Sequence, residues 1–341
     1  VVKIALNVGQ LSQPVPGGIG RYVQSLVDGL PTVGVDVTAF GPHRQHTLVY
    51  ERWHRIRWLP ARNARAGVIH APSLAVPPSS GRPLVVTVHD LVFDRFPATL
   101  TSRGVNFHRR GLAITRDEAS AIIVPSQFVA DELTTSGFVA SRLHVIPHGV
   151  TVPPAPAHEE LDALLASLNI RSPFVLAVGT VEPRKGLDLV AAAMQSVQSQ
   201  VPDVTLVVAG APGWGAIEDL DHARHRFLGR VSDVVLDALY RRATALAFAS
   251  RYEGFGFPVL EALARGCPVV AGAIPSVVEV AGDSALLVAA GDADALAAAI
   301  VEVIAHDDVA ADLAQRGRAR AAHFAWDTSF RAHKEIYAAL S

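Results

Sequence analysis

The stretch Glu253-Gly-Phe-Gly-Phe-Pro-Val-Leu-Glu261 decides the reading of this chain. Two carboxylates stand eight positions apart, with two glycines and a proline between them. An apolar run, Ala245–Ala249, precedes the segment. A helical pattern, Gly266 and a second apolar run, Pro268–Ala273, follow it. That order reads as strand, glycine loop, helix, strand. Pro258 suits the first helical position, where its missing N–H would have had no partner. The N–H groups of Val259, Leu260 and Glu261 are then expected to point out of the helix start, a place that binds phosphate. Gly254 and Gly256, on either side of Phe255, remove side chains where a ligand must approach the backbone. Each glutamate can accept two hydroxyl hydrogen bonds, as sugar recognition requires. An acid in the first turn of a helix gains about 0.3–1 kcal/mol from the dipole alone, and Gly266 also reads as a C-cap. A loop with no ligand has little need of two glycines between two acids, so the segment reads as a cradle for a sugar joined to a phosphate.

At 341 residues, half of them hydrophobic and 18% charged, the chain can bury two cores. It is too apolar for disorder and too charged for a membrane-embedded protein. Its start, Val1-Val-Lys-Ile-Ala-Leu6, reads as a strand and not a signal peptide. The single cysteine, Cys267, excludes an internal disulfide and fits a reducing compartment, and it reads as core packing. Charge is uneven: residues 1–150 hold fifteen Lys and Arg against nine Asp and Glu, leaving fifteen against twenty-three of the totals of 30 and 32. Arg44, Arg52, Arg55, Arg57, Arg62 and Arg65, with Trp53 and Trp58 among them, form either a solvated basic face or a peripheral contact with an anionic membrane surface. The expected location is cytoplasmic, including the inner face of the membrane. Nucleic acid is not an expected partner, because the chain as a whole is slightly acidic and shows no recognised module for it.

Short apolar runs alternate with helical patterns along the whole chain. In the first half they are Lys3–Val8, Asp36–Phe40, Val68–Ala71, Leu84–His89, Ala121–Pro125 and Leu143–Pro147. In the second half they are Phe174–Val178, Thr205–Ala209, Arg226–Leu228, Ala245–Ala249, Pro268–Ala271 and Ala285–Val288. Continuous apolar runs indicate strands buried on both faces, and their alternation with helices indicates parallel α/β sheets. The expectation is two Rossmann-like domains, 1–150 and 161–325, joined by a proline-rich linker at 151–160, with a C-terminal segment, 326–341, whose helix spans about Ser329–Leu340.

Other motifs carry chemistry. Gly17-Gly18-Ile19-Gly20 opens a helix after the first strand, and both a tight turn and a phosphate contact fit it. His89-Asp90 ends a buried strand, where ligands bind in open α/β sheets. Arg184 and Lys185 end the first strand of the second domain, and adjacent cations there suit a diphosphate. Ser250 reads equally as a phosphate contact and as an ordinary turn serine. Asp292-Ala-Asp294 reads as a helix N-cap, and the fourteen histidines show no zinc spacing, so no metal site is expected.

The Glu253–Glu261 segment resembles the E-x7-E signature of retaining GT-B glycosyltransferases, in particular glycosyltransferase family 4. Gly17–Tyr22, Val88–Asp90, Val178–Gly186 and Leu228–Val231 fall in that family's order and span nearly the full chain. The resemblance implies a GT-B fold, two Rossmann-like parallel-sheet domains facing a central cleft, with the final helix returning to the first domain. It implies transfer of a hexose, without cofactor or metal, from a nucleotide sugar to a hydroxyl of a glycan or glycolipid acceptor. Gly18 would approach the diphosphate, and His89 would contact the transferred sugar, with Asp90 as an acceptor-side alternative. Glu253 would hold sugar hydroxyls, Glu261 the ribose, and Arg184 and Lys185 the diphosphate; Gly254, Phe255, Gly256 and Leu260 complete the cradle. Arg230 and Val231 match the position that reads the nucleobase. Thr180 departs from the Gly-Arg of many members and leaves one phosphate contact unaccounted for. The Glu182-Pro-Arg-Lys185 turn looks like a mannosyltransferase-rich branch, hence GDP-mannose as the expected donor with a UDP-hexose second. An epimerase and a non-catalytic sugar-binding relative are the other classes open at this point.

Overall fold

The computed structural model describes residues 1–13, 17–42, 47–56, 67–213 and 224–341. The chain forms two compact units: Val1–Gly149 together with Phe324–Ser341, and Val150–His323. The first holds six parallel strands in the order β2-β1-β3-β4-β5-β6: β1 Val2–Asn7, β2 Val35–Phe40, β3 Val68–Ala71, β4 Leu84–Thr87, β5 Ala121–Val124 and β6 Leu143–Val145. The second holds β12-β11-β10-β7-β8-β9: β7 Phe174–Val178, β8 Thr205–Ala209, β9 His225–Gly229, β10 Ala245–Phe248, β11 Val269–Gly272 and β12 Leu286–Val288. All twelve apolar runs are strands. Every residue of β3, β4, β5, β10 and β11 is buried, which is why those stretches read as continuous rather than alternating.

Strand order reverses between β1 and β3 in one sheet and between β7 and β10 in the other. The loops leaving such neighbouring strands diverge to opposite faces and open a crevice at the carboxyl edge, where α/β sheets bind ligands. In the second unit the loops at that edge are Gly179–Gly186 and Ala249–Gly256, the same two stretches that the sequence marks for chemistry. The proline-rich residues 151–157 have no regular structure, and a helix starts at His158. Cys267 is buried, and burial pushes its thiol up to about 12, in keeping with a packing role. Among the described residues no helix is long and apolar enough to cross a membrane.

The C-terminal helix runs Trp326–Leu340, three residues longer at its start than the pattern suggested, because Trp326 and Asp327 form its first turn. It belongs to the first unit, and a directed chain of buried hydrogen bonds ties it there. His333 Nδ1 must donate to the Ser329 carbonyl at 2.7 Å, so its Nε2 accepts from the Tyr22 hydroxyl at 2.7 Å. Tyr22 in turn accepts from Thr87 at 2.9 Å, and Thr87 from His70 Nε2 at 2.8 Å. His70 Nδ1 then accepts from the Tyr337 hydroxyl at 2.8 Å. Each of these side chains is wholly buried, so every link made is a desolvation cost avoided.

Such a chain works only with neutral imidazoles. Burial holds His333 down to about 4 and His70 well below the usual range. The unfolded chain takes up these protons near pH 6.5 and the folded one only at lower pH. Between the two values the unfolded state binds more protons, so stability falls as pH is lowered through that window. For His333 alone the loss by pH 4 is roughly 3 kcal/mol. Denaturant unfolding between pH 7.5 and 4.5 is therefore expected to show a midpoint that drops steadily below pH 6.5. A flat midpoint would contradict the neutral chain.

Candidate active site

Gly186 fixes where the cation turn sits. Its φ is +66°, and a Cβ there would lie 2.0 Å from the Ala249 carbonyl oxygen. The Pro183–Lys185 turn is thus held against the end of β10. Backbone and side-chain bonds join the two loops: Arg251 N–H donates to the Arg184 carbonyl at 2.8 Å, and Arg184 Nη1 to the Tyr252 carbonyl at 2.8 Å. Arg251 also pairs with Asp188.

At this seam Lys185 Nζ lies 2.6 Å from Glu253 Oε1, and Arg184 Nη1 lies 3.2 Å from Oε2. Ser250 donates to Oε1 at 2.7 Å, and Ser276 Oγ donates to the Glu253 carbonyl at 2.7 Å. Arg184 is shared with Glu182, 2.6 Å away. The side chains of Glu253, Arg184 and Lys185 are only 12–14% exposed. Burial alone raises the Glu253 carboxyl, but Lys185 and Arg184 more than offset it, and the group sits below the usual carboxylate range. The expected separation of roles therefore meets a different geometry. The cations are paired within the protein, Lys185 and Arg184 with Glu253 and Arg184 also with Glu182, rather than facing outward as a bare positive patch. Ser250 serves here as an orienting group for Glu253.

The glycine loop departs from expectation in three ways. Phe257, not Pro258, is the first residue of the helix Phe257–Arg265; Pro258 follows it. The Val259 and Leu260 N–H groups both donate to the Gly256 carbonyl, at 3.0 and 3.2 Å, so they do not point outward as free donors. Leu260 is wholly buried and belongs to the core. Gly256 has a φ of +110°, which favours glycine, and among protein atoms a Cβ there would meet only Val277 at 3.6 Å. Gly254 is buried, and Phe255 packs edge-on against Phe257 with ring centres 5.4 Å apart.

Glu261 is buried one helical turn inward, where the Tyr240 hydroxyl donates to its Oε2 at 2.9 Å. Arg265 lies over the Tyr240 ring and pairs with Asp237, which also holds Arg241; both ion pairs are 2.6 Å. Sequence reasoning missed Tyr240, Asp237 and Ser276. The one available signal was Arg265, a helical turn after Glu261. Thr180 is half-buried at the end of β7, while Arg230 is exposed and Val231 half-exposed beyond the edge strand β9. Asp292 caps its helix by accepting from the Ala295 N–H at 2.8 Å, as its sequence context implied.

In the first unit Gly18 is exposed in the first turn of the helix Gly17–Gly29. His89 follows β4 and is half-buried, with both ring nitrogens engaged. Nε2 donates to the Pro72 carbonyl at 2.9 Å, and Nδ1 faces His148 Nε2 at 3.4 Å. Burial lowers its affinity for a proton. Asp90 accepts from the Val92 N–H at 3.0 Å. A cavity of about 330 Å³ in this unit is lined by Asn7, Gln10, Tyr50, Glu51, Ser73 and Phe107, among others. Trp53 is buried between Tyr50 and Phe40 and offers no surface tryptophan, whereas Arg52 and Arg55 are exposed. Arg44, Arg57, Trp58, Arg62 and Arg65 lie outside the described residues.

Comparison with known proteins agrees with this architecture. The profile described as Glycosyltransferase Family 4 matches residues 16–152, and that described as Glycosyl transferases group 1 matches 165–320. The chain is 30% identical over 275 residues to O-antigen chain mannosyltransferase B of Escherichia coli, covering 76% of this chain and 71% of that protein. It is 35% identical over 143 residues to the serotype-specific mannosyltransferase WbdA of Escherichia coli, but spans only 17% of that protein. It is 30% identical over 341 residues to glycogen synthase of Mycobacterium tuberculosis, covering 90% and 77%. Among solved structures, sucrose-phosphate synthase from Thermosynechococcus elongatus superposes with a TM-score of 0.76 at 22% identity, over 100% of this chain and 99% of that one. Anabaena HepE in complex with UDP-glucose gives 0.75 at 21%, over the whole of both chains.

The buried ion pair yields a direct test. Lys185→Met leaves Glu253 with less compensation in a low-dielectric seam and is expected to cost about 3 kcal/mol. Adding Glu253→Gln should return much of that loss in denaturant unfolding of the double variant. Strictly additive losses would show that the two groups are not coupled.

Proposed function

Since the chain belongs to glycosyltransferase family 4 and has the GT-B fold, we propose that it moves mannose from GDP-mannose to a hydroxyl of a glycan or glycolipid with the anomeric configuration retained. Sugar transfer itself follows from family membership. The observation that carries the rest is the Lys185–Glu253 pair at the switch point of the second sheet. It sets a carboxylate for sugar hydroxyls beside cations for a diphosphate. Lys185 has three N–H donors and a carboxylate about four acceptor positions, so the pair can hold a sugar phosphate without parting.

In this reading the bond from the anomeric carbon to the diphosphate breaks first, through an oxocarbenium-like transition state. Lys185 and Arg184 stabilise the charge that builds on the leaving GDP. The acceptor hydroxyl attacks from the same face and gives its proton to the departing phosphate oxygen. Glu261, held by Tyr240, accepts from the ribose hydroxyls, and the backbone of Gly254–Gly256 lies along the phosphates. Arg230 and Val231 flank the base. The cavity of the first unit, with its amide, hydroxyl and aromatic lining, suits an acceptor sugar. The mannosyl assignment is supported by the O-antigen mannosyltransferase relative and by the Glu182-Pro-Arg-Lys185 turn. A glucosyl donor is the second reading, favoured by the glycogen synthase relative.

Titration calorimetry is expected to find GDP bound more tightly than UDP, and a UDP preference would overturn the mannosyl assignment while leaving sugar transfer intact. Glu253→Ala should retain GDP affinity and lose transfer, whereas Glu261→Ala should weaken GDP itself; full activity in both variants would remove the glutamates from the mechanism. Lys185→Ala is expected to cut turnover by about 10²–10³. Transfer should also persist in excess chelator.

A further inference from the structure

His148 follows β6 and lies buried behind His89, and neither the sequence motifs nor the proposed mechanism uses it. Its surroundings fix it closely. The Tyr22 ring lies 4.8 Å away and Trp326 of the C-terminal helix 6.3 Å away, centre to centre. The next residue, Gly149, could carry no side chain, because a Cβ would fall 2.5 Å from the Trp326 ring. Tyr22 is itself pinned through its hydroxyl by Thr87 and His333, and its ring meets His89 edge-on at 5.1 Å. The C-terminal helix thus bears on His148 directly through Trp326, and on both His148 and His89 through Tyr22.

The tautomer of His89 follows from its partners. A carbonyl only accepts, so Pro72 demands the hydrogen on Nε2. The neutral ring then has a lone pair on Nδ1, and His148 Nε2 is the group that faces it. We propose that His148 is a positioning residue for His89: its Nε2–H, donated to His89 Nδ1, fixes the plane and tautomer in which His89 offers an Nε2–H to a ligand hydroxyl in exchange for the Pro72 carbonyl. This rests on the reading that His89 touches the transferred sugar. Without the donor, the hydrogen can move to Nδ1, and the Nε2 lone pair then faces the Pro72 oxygen and turns the ring away. The other titratable groups about His89 are Asp90 beside it, His70 on β3 and Tyr22 on the first helix, while His333 on the last helix acts on His148. None of these supplies the Nδ1 contact.

The test uses the full chain and four proteins: wild type, His148→Leu, His148→Gln and His89→Ala, assayed with whichever of GDP-mannose and UDP-glucose the wild type turns over. Partners that orient an imidazole in metal sites are worth about 10–100-fold. His148→Leu is expected to lose that much turnover with GDP affinity unchanged, and to move the acid limb of the pH profile upward. His148→Gln, which keeps an N–H donor, should stay near wild type on both counts. Nitrogen-15 imidazole spectra recorded with the sugar nucleotide bound, when the Pro72 contact is given up, should show His89 as a single Nε2–H tautomer in the wild type and mixed in His148→Leu.

Wild-type turnover in His148→Leu, alongside loss in His89→Ala, overturns the proposal and spares the role of His89. Equal loss in both His148 variants with an unmoved acid limb reduces His148 to packing and also overturns it. Full activity in His89→Ala removes the underlying reading instead. Should His148→Leu fail to fold, the wild-type spectrum decides, and a protonated Nδ1 on His89 refutes the assignment.

Discussion

The second unit depends on a seam of buried charge. Parallel strands β7 and β10 deliver two loops to the same edge, and the regular structure in them is one short 3-10 turn, Pro183–Lys185. The Lys185–Glu253 contact, with Arg184 shared between Glu253 and Glu182, binds them together with the hydrogen bonds of Arg251 to the Arg184 carbonyl and of Arg184 to the Tyr252 carbonyl. An ion pair so little exposed gains less net stability than its Coulomb energy suggests, because both charges were taken out of water. Its stronger effect is on geometry: each loop has a conformation that leaves no charge unpartnered only when the other is in place. Gly186 makes the arrangement narrower still, since the turn has no latitude against the Ala249 carbonyl.

The first unit is held in a different way. Its polar core is neutral and directional, with five hydrogen bonds whose polarity is set by the carbonyl at one end. Reversing any one link would strand a donor or an acceptor in a place with no water to replace it. The two units therefore solve the burial of polar groups by opposite means. One compensates charge with charge, and the other keeps its titratable rings uncharged. The difference shows in how each should respond to salt and acid, since ion pairs at 12–14% exposure are screened a little and neutral rings hardly at all.

Much of this was legible in the sequence. The strands announced themselves because a run buried on both faces has no alternation to obscure it. Glu253, Glu261, Arg184 and Lys185 stood out by residue type and by their place at strand ends. Their pairing did not, because Lys185 and Glu253 are sixty-eight positions apart and nothing in a single sequence reports such a contact. The same holds for Pro72 and His148 around His89, seventeen and fifty-nine positions away. Trp53 was misread for a more local reason. Its arginine neighbours suggested a surface, yet Tyr50 and Trp53 are three apart and share the inner face of the helix Thr47–Ile56. The helix-start donors were misassigned because the carbonyl of Gly256, in its left-handed conformation, takes two of them.

The first unit is discontinuous in sequence. The hydroxyl of Tyr337 and the imidazole of His333, which complete its buried chain, are encoded more than two hundred residues after Thr87 and His70. During synthesis on the ribosome, residues 1–149 must wait with those groups incompletely matched while the whole of Val150–His323 emerges. The second unit, contiguous in sequence, has all of its own residues first. The order of maturation is thus the reverse of the order of translation for the innermost polar contacts. A chain ending at His323 would carry every residue of the second unit and a first unit still open at its core.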